Sequence, residues 1–206
     1  MKILFISDNF YPESNAPAKR TYEHAIEWLK LSHNVTVITG NPNFPKGKIF
    51  EGYKNKLFQT EYKDDITIKR VWTFIASNKG FLLRIIDYMS FMFTSFISAL
   101  FVKKHDIVIA TSPQFLTVIS GWLLSIFKRV PFVLEIRDLW PESIIAVGAM
   151  NKNSFFIKQL YRLAHFFYKK ADVIVCVTNS FKKELISLNI DGNKIVVIEN
   201  GIDVNK

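Results

Sequence analysis

The sequence predicts an α/β fold built on a doubly wound parallel sheet, and three observations predict it. Short apolar runs with strand character recur along the whole chain. Segments with helical spacing of apolar residues lie between most of them. Polar or basic turns, such as Lys104-His105-Asp106 and Lys170-Ala171-Asp172, introduce several of the runs. Strand alternating with helix is the pattern of a parallel sheet.

The first strand falls at residues 3–7, where Ile3-Leu4-Phe5-Ile6 follows Met1-Lys2 directly. A helix over 17–31 follows, with Pro17 in its first turn, where a missing N–H costs nothing. The second strand is 35–39. Residues 40–65 are polar and punctuated by Gly40, Pro42, Pro45, Gly47 and Gly52, so they are expected to form a long excursion over the top of the sheet. A strand at 66–71 leads to a helix at 81–103 that is apolar on most of its faces. The remaining elements are a strand at 107–110, a helix at 114–128, a strand at 132–136, a helix at 154–170, a strand at 173–177, a helix at 180–189 and a last strand at 195–198.

The 206 residues are enough for one full core, and 49% hydrophobic with 22% charged content is the composition of a globular protein. One domain, residues 1–206, is the expectation. A formal net charge of +9 suits a partner carrying phosphates, whether nucleic acid, anionic lipid or a sugar nucleotide. Charge is the sole feature favouring nucleic acid, so none is expected as partner. Cys176 is the one cysteine and lies within Val173-Ile174-Val175-Cys176-Val177, which reads as a buried structural thiol. The apolar run after Met1-Lys2 is too brief for a signal-peptide core, and a cytoplasmic location is expected.

Several chemistries are excluded by pattern. The loop from Asp8 to Ala18 holds no glycine, and no G-x-x-x-x-G-K-[ST] occurs anywhere, so classical NAD and P-loop sites fall away. His24, His33, His105 and His165 are widely separated and no D-x-D triplet is present; no metal site and no cofactor are expected.

Three segments remain as candidates. The first loop carries Asn9, Tyr11, Glu13, Ser14 and Asn15, with Lys19 and Arg20 one turn inside the helix. A helix N-terminus offers unpaired N–H groups and a positive dipole end, suited to a phosphate or a sugar hydroxyl; a plain solvent-facing helix start is the alternative. In Glu135-Ile136-Arg137-Asp138-Leu139-Trp140-Pro141-Glu142-Ser143, charges follow an apolar strand, the place where open α/β sheets meet their ligands. The competing reading is a local Arg137–Asp138 ion pair, with Trp140 and Pro141 packing a helix start. In the helix at 81–103, the uncharged run from Tyr88 to Val102 is shorter than a spanning helix needs. That helix is expected either to be core or to lay one face in a lipid interface, with Lys79, Arg84, Lys103 and Lys104 toward anionic headgroups.

The residues resemble a family: the N-terminal domain of retaining GT-B glycosyltransferases of the family 4 type, in particular bacterial enzymes of O-antigen, capsule and exopolysaccharide assembly and their L-fucosamine transferase-like branch. The resemblance rests on Asp8-Asn9-Phe10-Tyr11-Pro12-Glu13 with Ala16-Pro17-Ala18-Lys19-Arg20-Thr21-Tyr22-Glu23; on Val35-Thr36-Val37-Ile38-Thr39-Gly40 with Pro42-Asn43-Phe44-Pro45-Lys46-Gly47; and on Thr111-Ser112-Pro113, Arg137 to Ser143, and Glu199-Asn200-Gly201-Ile202-Asp203. Ser14-Asn15 stands where many members have a Gly-Gly pair, and Arg137-Asp138 where many relatives place a histidine.

The resemblance implies a Rossmann-like acceptor-binding domain, with a donor-binding domain expected after residue 206. It implies transfer of a sugar, with retention, from a nucleotide-sugar donor to a lipid-linked saccharide, with this chain inactive alone. Asp138, Arg137 and Glu142 are the implied catalytic residues. Asn9, Tyr11, Ser14, Asn15, Ala16, Lys19, Arg20, Ser112 and Pro113 are the implied substrate contacts. Docking on anionic lipid of the inner leaflet is implied through Arg84, Phe91, Phe93, Phe96, Lys103 and Lys104, placing the enzyme in the cytoplasm and peripheral to the membrane. The alternative from another class is a non-catalytic membrane-associated binding module of the same fold.

Overall fold

A computed structural model describes residues 1–75, 81–112, 114–142, 145 and 154–201. The chain divides into two compact units, Met1–Phe132 and Val133–Lys206. The first holds β1 (Lys2–Ile6), α1 (Ala16–Lys30), β2 (Asn34–Thr39), β3 (Phe58–Lys63), β4 (Ile66–Val71), α2 (Phe81–Leu100), β5 (Ile107–Thr111) and α3 (Leu116–Lys128). Its strands lie in the order β3-β4-β2-β1-β5, all parallel except the β3–β4 pair.

Strand alternation fixes which helix covers which face. The Phe5 ring meets Trp28 of α1 at 5.2 Å between centroids, so odd positions of β1 face α1. Ile6 is in register with Ala110 on β5 and therefore shares the other face. There Ala110 meets α3: a Cβ on Gly121 would lie 2.7 Å from Ala110 Cβ and 2.9 Å from Phe132 Cε2. Only glycine lets α3 settle this close. Helices thus cover both faces, as the sequence predicts.

Residues 40–65 depart from that reading, because the excursion ends in β3, paired antiparallel with β4 from Phe58↔Val71 to Lys63↔Ile66. Asp64 and Asp65 turn the hairpin at φ 47° and 63°, the positive-φ pair that a two-residue turn matching strand twist requires. The strand is masked in the sequence because its alternation is inverted. Phe58 and Tyr62 face outward, while Gln59 and Glu61 turn inward to polar partners.

Helix α2 has two unlike faces. Phe91, Thr94, Ser95, Ser98 and Ala99 are buried, and Ser95 Oγ donates to Ser120 Oγ of α3 at 3.2 Å, which in turn donates to the Met92 carbonyl at 2.7 Å. Small hydroxyls let the two helices approach closely. On the other face Leu83, Ile86, Met89, Phe93 and Ile97 are exposed, continued by Phe101, and α3 adds Leu123, Ile126 and Phe127. This corrects the expected membrane stripe: Phe91 is 0% exposed, because it falls in the i, i+3, i+4, i+7 set with Thr94, Ser95 and Ser98 rather than with Phe93. Phe96 is half-buried. The 18 residues Leu83–Leu100, mean hydropathy 1.3, are also long and apolar enough to cross a membrane by length and composition, although 28% of them are buried. Lys79 lies outside the described residues.

The second unit, from Val133 on, holds the rest of β6 (Phe132–Ile136), α4 (Phe155–Lys170), β7 (Val173–Cys176), α5 (Asn179–Ser187) and β8 (Ile195–Val197), with β6-β7-β8 parallel in that order. Side-chain caps start both helices: Ser154 Oγ accepts from Ile157 N at 3.2 Å, and Thr178 Oγ1 accepts from Phe181 N at 3.2 Å. Cys176 is wholly buried on β7, and burial raises its thiol pKa.

Candidate functional site

In the first unit the strand order reverses between β1 and β5: from β1 the chain passes to β2 on one side, and β5 lies on the other. Such a switch point opens a crevice at the carboxyl ends of the strands. A cleft sits there, lined by Asp8, Asn9, Arg20, Thr111, Ser112 and Gln114 among others, with a free volume of about 10 Å³, the room one water-sized group needs.

Two networks hold the loop between β1 and α1. Asn15 caps α1 by accepting from Ala18 N at 2.8 Å, and its amide donates to Asn9 Oδ1 at 3.0 Å and to Glu13 at 3.3 Å. Glu13, itself buried, accepts the Asn43 and Phe44 backbone amides at 2.8 and 2.9 Å. Arg70 of β4, 1% exposed, donates to Glu61 at 2.8 Å, to the Gly40 carbonyl at 3.1 Å and to the Tyr11 carbonyl at 2.7 Å. The loop is therefore fixed by buried charge-assisted bonds. Burial holds the Asp8 carboxyl well above the usual carboxylate range, and the negative charges of Asp87 and Glu13 push it further. Gln114 is 3% exposed; its Oε1 accepts from Thr117 Oγ1, while Nε2 has no partner in the protein.

In the second unit, Arg137 follows β6 and is buried, with its guanidinium against Glu135 and donating to Asn200 Oδ1 at 2.9 Å. Burial lowers its pKa, and the Glu135 carboxylate opposes that shift. Asp138 is exposed. Glu142 borders a separate cavity of about 200 Å³ with Trp140, Tyr161, His165 and Leu188 among its walls. Burial and the neighbouring Glu142 raise the Tyr161 pKa. Among the described residues no group of three or more acidic, histidine or cysteine side chains could hold a metal ion.

Residues 18–206 match the family model described as Glycosyltransferase Family 4. The chain belongs to glycosyltransferase family 4. Among family relatives, the protein named as colanic acid biosynthesis glycosyl transferase WcaI of Escherichia coli (strain K12) is 28% identical over 155 residues, 74% of this chain and 38% of that protein. A protein named as glycosyltransferase WbjE of Pseudomonas aeruginosa is 26% identical over 98 residues, 48% of this chain and 24% of that protein. Anabaena Alr3699/HepE, solved in complex with UDP-glucose, matches with a TM-score of 0.56 at 14% identity, covering 100% of this chain and 45% of that one. The UDP-GlcNAc 2-epimerase of Methanocaldococcus jannaschii matches with a TM-score of 0.53 at 16% identity, covering 97% and 46%. These two likenesses establish the Rossmann-like fold. The chain spans less than half the length of the relatives and structures it matches.

Of the substrate contacts expected from sequence in this family 4 chain, Asn9, Arg20 and Ser112 come together in the cleft. Asn15 acts on the loop itself as the helix cap. Ser14, Ala16 and Lys19 are exposed at the start of α1. Tyr11 is also exposed, its ring 5.5 Å from that of Tyr22. Pro113, Ser143, Ile202 and Asp203 lie outside the described residues. Asp8, Thr111 and Gln114 are cleft residues that the sequence reading misses. The reasoning applied to Arg137-Asp138 would have found Asp8, since it too is a charge close behind an apolar strand.

Proposed function

We propose that this chain is the acceptor-binding, N-terminal half of a GT-B glycosyltransferase that moves a sugar, with retention, from a nucleotide diphosphate donor to a lipid-linked saccharide. Its role on this reading is in assembly of a bacterial surface polysaccharide. Family membership supports the transferase chemistry. The observation that carries the lipid-linked acceptor is the outward face shared by α2 and α3. There Phe93, Ile97, Phe101, Ile126 and Phe127 are exposed, and so are Lys103, Lys104 and Arg129 just beyond the ends of the two helices. An apolar face rimmed by cations suits the boundary of an anionic leaflet, and an enzyme seated there meets a lipid-borne acceptor at the bilayer surface.

On this reading the donor is held mainly by a second domain, and the present residues supply the acceptor cleft. Asp138, exposed after β6, holds the acceptor hydroxyl. Arg137 faces a diphosphate with its charge partly offset by Glu135. Positioning and stabilisation of the departing diphosphate then provide most of the rate.

Vesicle co-sedimentation tests the membrane part. Binding should increase with anionic lipid content, weaken with salt as the cationic rim is screened, and fall about tenfold or more for Lys103→Glu/Lys104→Glu, since each surface cation contributes about 1 kcal/mol. Binding indifferent to both anionic lipid and the double change rejects the docking face. Assay of full-length enzyme against a panel of nucleotide sugars tests the chemistry. There Asp138→Asn should cost about 100-fold or more in turnover, and a rate within a few-fold of the parent removes Asp138 from the mechanism.

A further inference from the structure

Gln114, in the wall of the cleft at the switch point, carries a buried hydrogen-bond donor that the protein leaves unused. Gln114 Nε2 has no partner, although the residue is 3% exposed and its Oε1 is engaged by Thr117. Side-chain amides that deeply placed are nearly always paired, and an unpaired one costs about 1–3 kcal/mol. A donor kept in that state points to a ligand atom that completes it.

We propose that this cleft seats a single hydroxyl of the acceptor sugar, which accepts a hydrogen bond from Gln114 Nε2 and donates one to Asp8. The inference rests on the acceptor-binding reading and assigns a specificity-determining contact within it.

Size and hydrogen-bonding capacity select the ligand. The free volume of about 10 Å³ admits one water-sized group. A hydroxyl is neutral, is both donor and acceptor, and so satisfies an amide N–H and a carboxyl oxygen together. Arg20 from α1, with Ser112 after β5, completes the wall. The loop carrying Asp8 is held by Arg70 and Glu13, so the slot is set before a ligand arrives. A sugar lacking that one hydroxyl would leave Gln114 and Asp8 unanswered, and sites of this kind discriminate strongly against such analogues.

The test is an NMR titration of the ¹⁵N-labelled 206-residue protein. The probes are the methyl glycosides of glucose, galactose, mannose and N-acetylglucosamine, their monodeoxy analogues, and inorganic phosphate. At least one parent glycoside should shift the Gln114 side-chain amide resonances. Its Kd should rise about tenfold in Gln114→Met, the loss expected for one hydrogen bond in a closed site, and by more than that for one monodeoxy analogue only, which loses the contact to Asp8 as well; that analogue should bind Gln114→Met and the parent protein alike. Gln114→Glu retains the acceptor for Thr117 while replacing the amide donor, and should give the same loss at neutral pH; it guards against misfolding of the methionine variant. A glycoside that moves the Asn9, Arg20 and Ser112 backbone amides yet binds both variants within about twofold of the parent overturns the hydroxyl slot and leaves the acceptor domain standing. Failure of every glycoside to bind with a Kd below about 100 mM overturns both. Phosphate shifting the Gln114 amide where glycosides do not overturns the slot in favour of an anion site.

Discussion

Arg70 shows how much of the site depends on residues that never touch a ligand. One buried guanidinium ties β3 through Glu61, the end of β2 through the Gly40 carbonyl and the first loop through the Tyr11 carbonyl. Replacing it by methionine keeps the bulk and strands those acceptors. Arg70→Met should lower unfolding free energy by about 2–4 kcal/mol, discounted because Glu61 is a third exposed, and urea denaturation will read it; a loss under about 1 kcal/mol would make the hub ornamental. Gly121→Ala should cost about 1–3 kcal/mol, since its Cβ would overlap Ala110 and Phe132. Neither role could be read from the chain alone. Arg70 occurs in a polar-looking Lys69-Arg70 pair, and Gly121 in the interior of a helix, where nothing local announces a partner on another element. Asn9, Arg20 and Ser112 were legible because they follow strands or open a helix. Gln114 was not, because an amide one residue past Pro113 carries no charge to single it out.

At the scale of elements, α2 couples the exposed apolar face to the cleft. Burial raises the Asp87 carboxyl from 3.8 to about 6, with Arg84 pulling the other way. The folded chain therefore holds this proton more tightly than the unfolded chain. Its stabilising contribution is complete below about pH 3.8 and is lost as pH rises through about 6. Asp87→Asn should raise the thermal midpoint at neutral and basic pH, leave it unchanged in acid, and flatten the pH dependence between those limits; an unaltered profile would mean that Asp87 is solvated. The same change removes a negative charge that helps raise Asp8. Among the other elements, Asn15→Ala should cost about 1 kcal/mol for the lost α1 cap and, unlike a remote cap change, also alter the Asn9 environment, which chemical shifts will report. The helices were legible from periodicity to within a few residues. Strand β3 was not, because its aromatic side chains face outward and its polar ones inward, the reverse of the pattern by which strands are recognised.

For the whole molecule, the order of elements made the fold readable: alternation of strand and helix leaves few topologies, and covering both faces of a parallel sheet is the consequence. Activity was less legible, since the relatives that carry it are more than twice as long as the stretch they share with this chain. The net charge of +9 belongs to the same scale, and in the proposed membrane docking its contribution should vanish first as salt is raised, leaving the apolar contribution of α2 and α3. The solitary, sealed thiol of Cys176 gives these surfaces a practical means of inspection. Because it is inaccessible and hard to ionise, alkylating reagents will pass it by under native conditions. A cysteine introduced at Phe93, Phe101 or Phe127 would then be the one position to take a fluorophore or spin label, without first deleting the native residue. Quenchers placed at known depths in a vesicle could rank those three positions by immersion, turning a face of the protein into a ruler held against the bilayer.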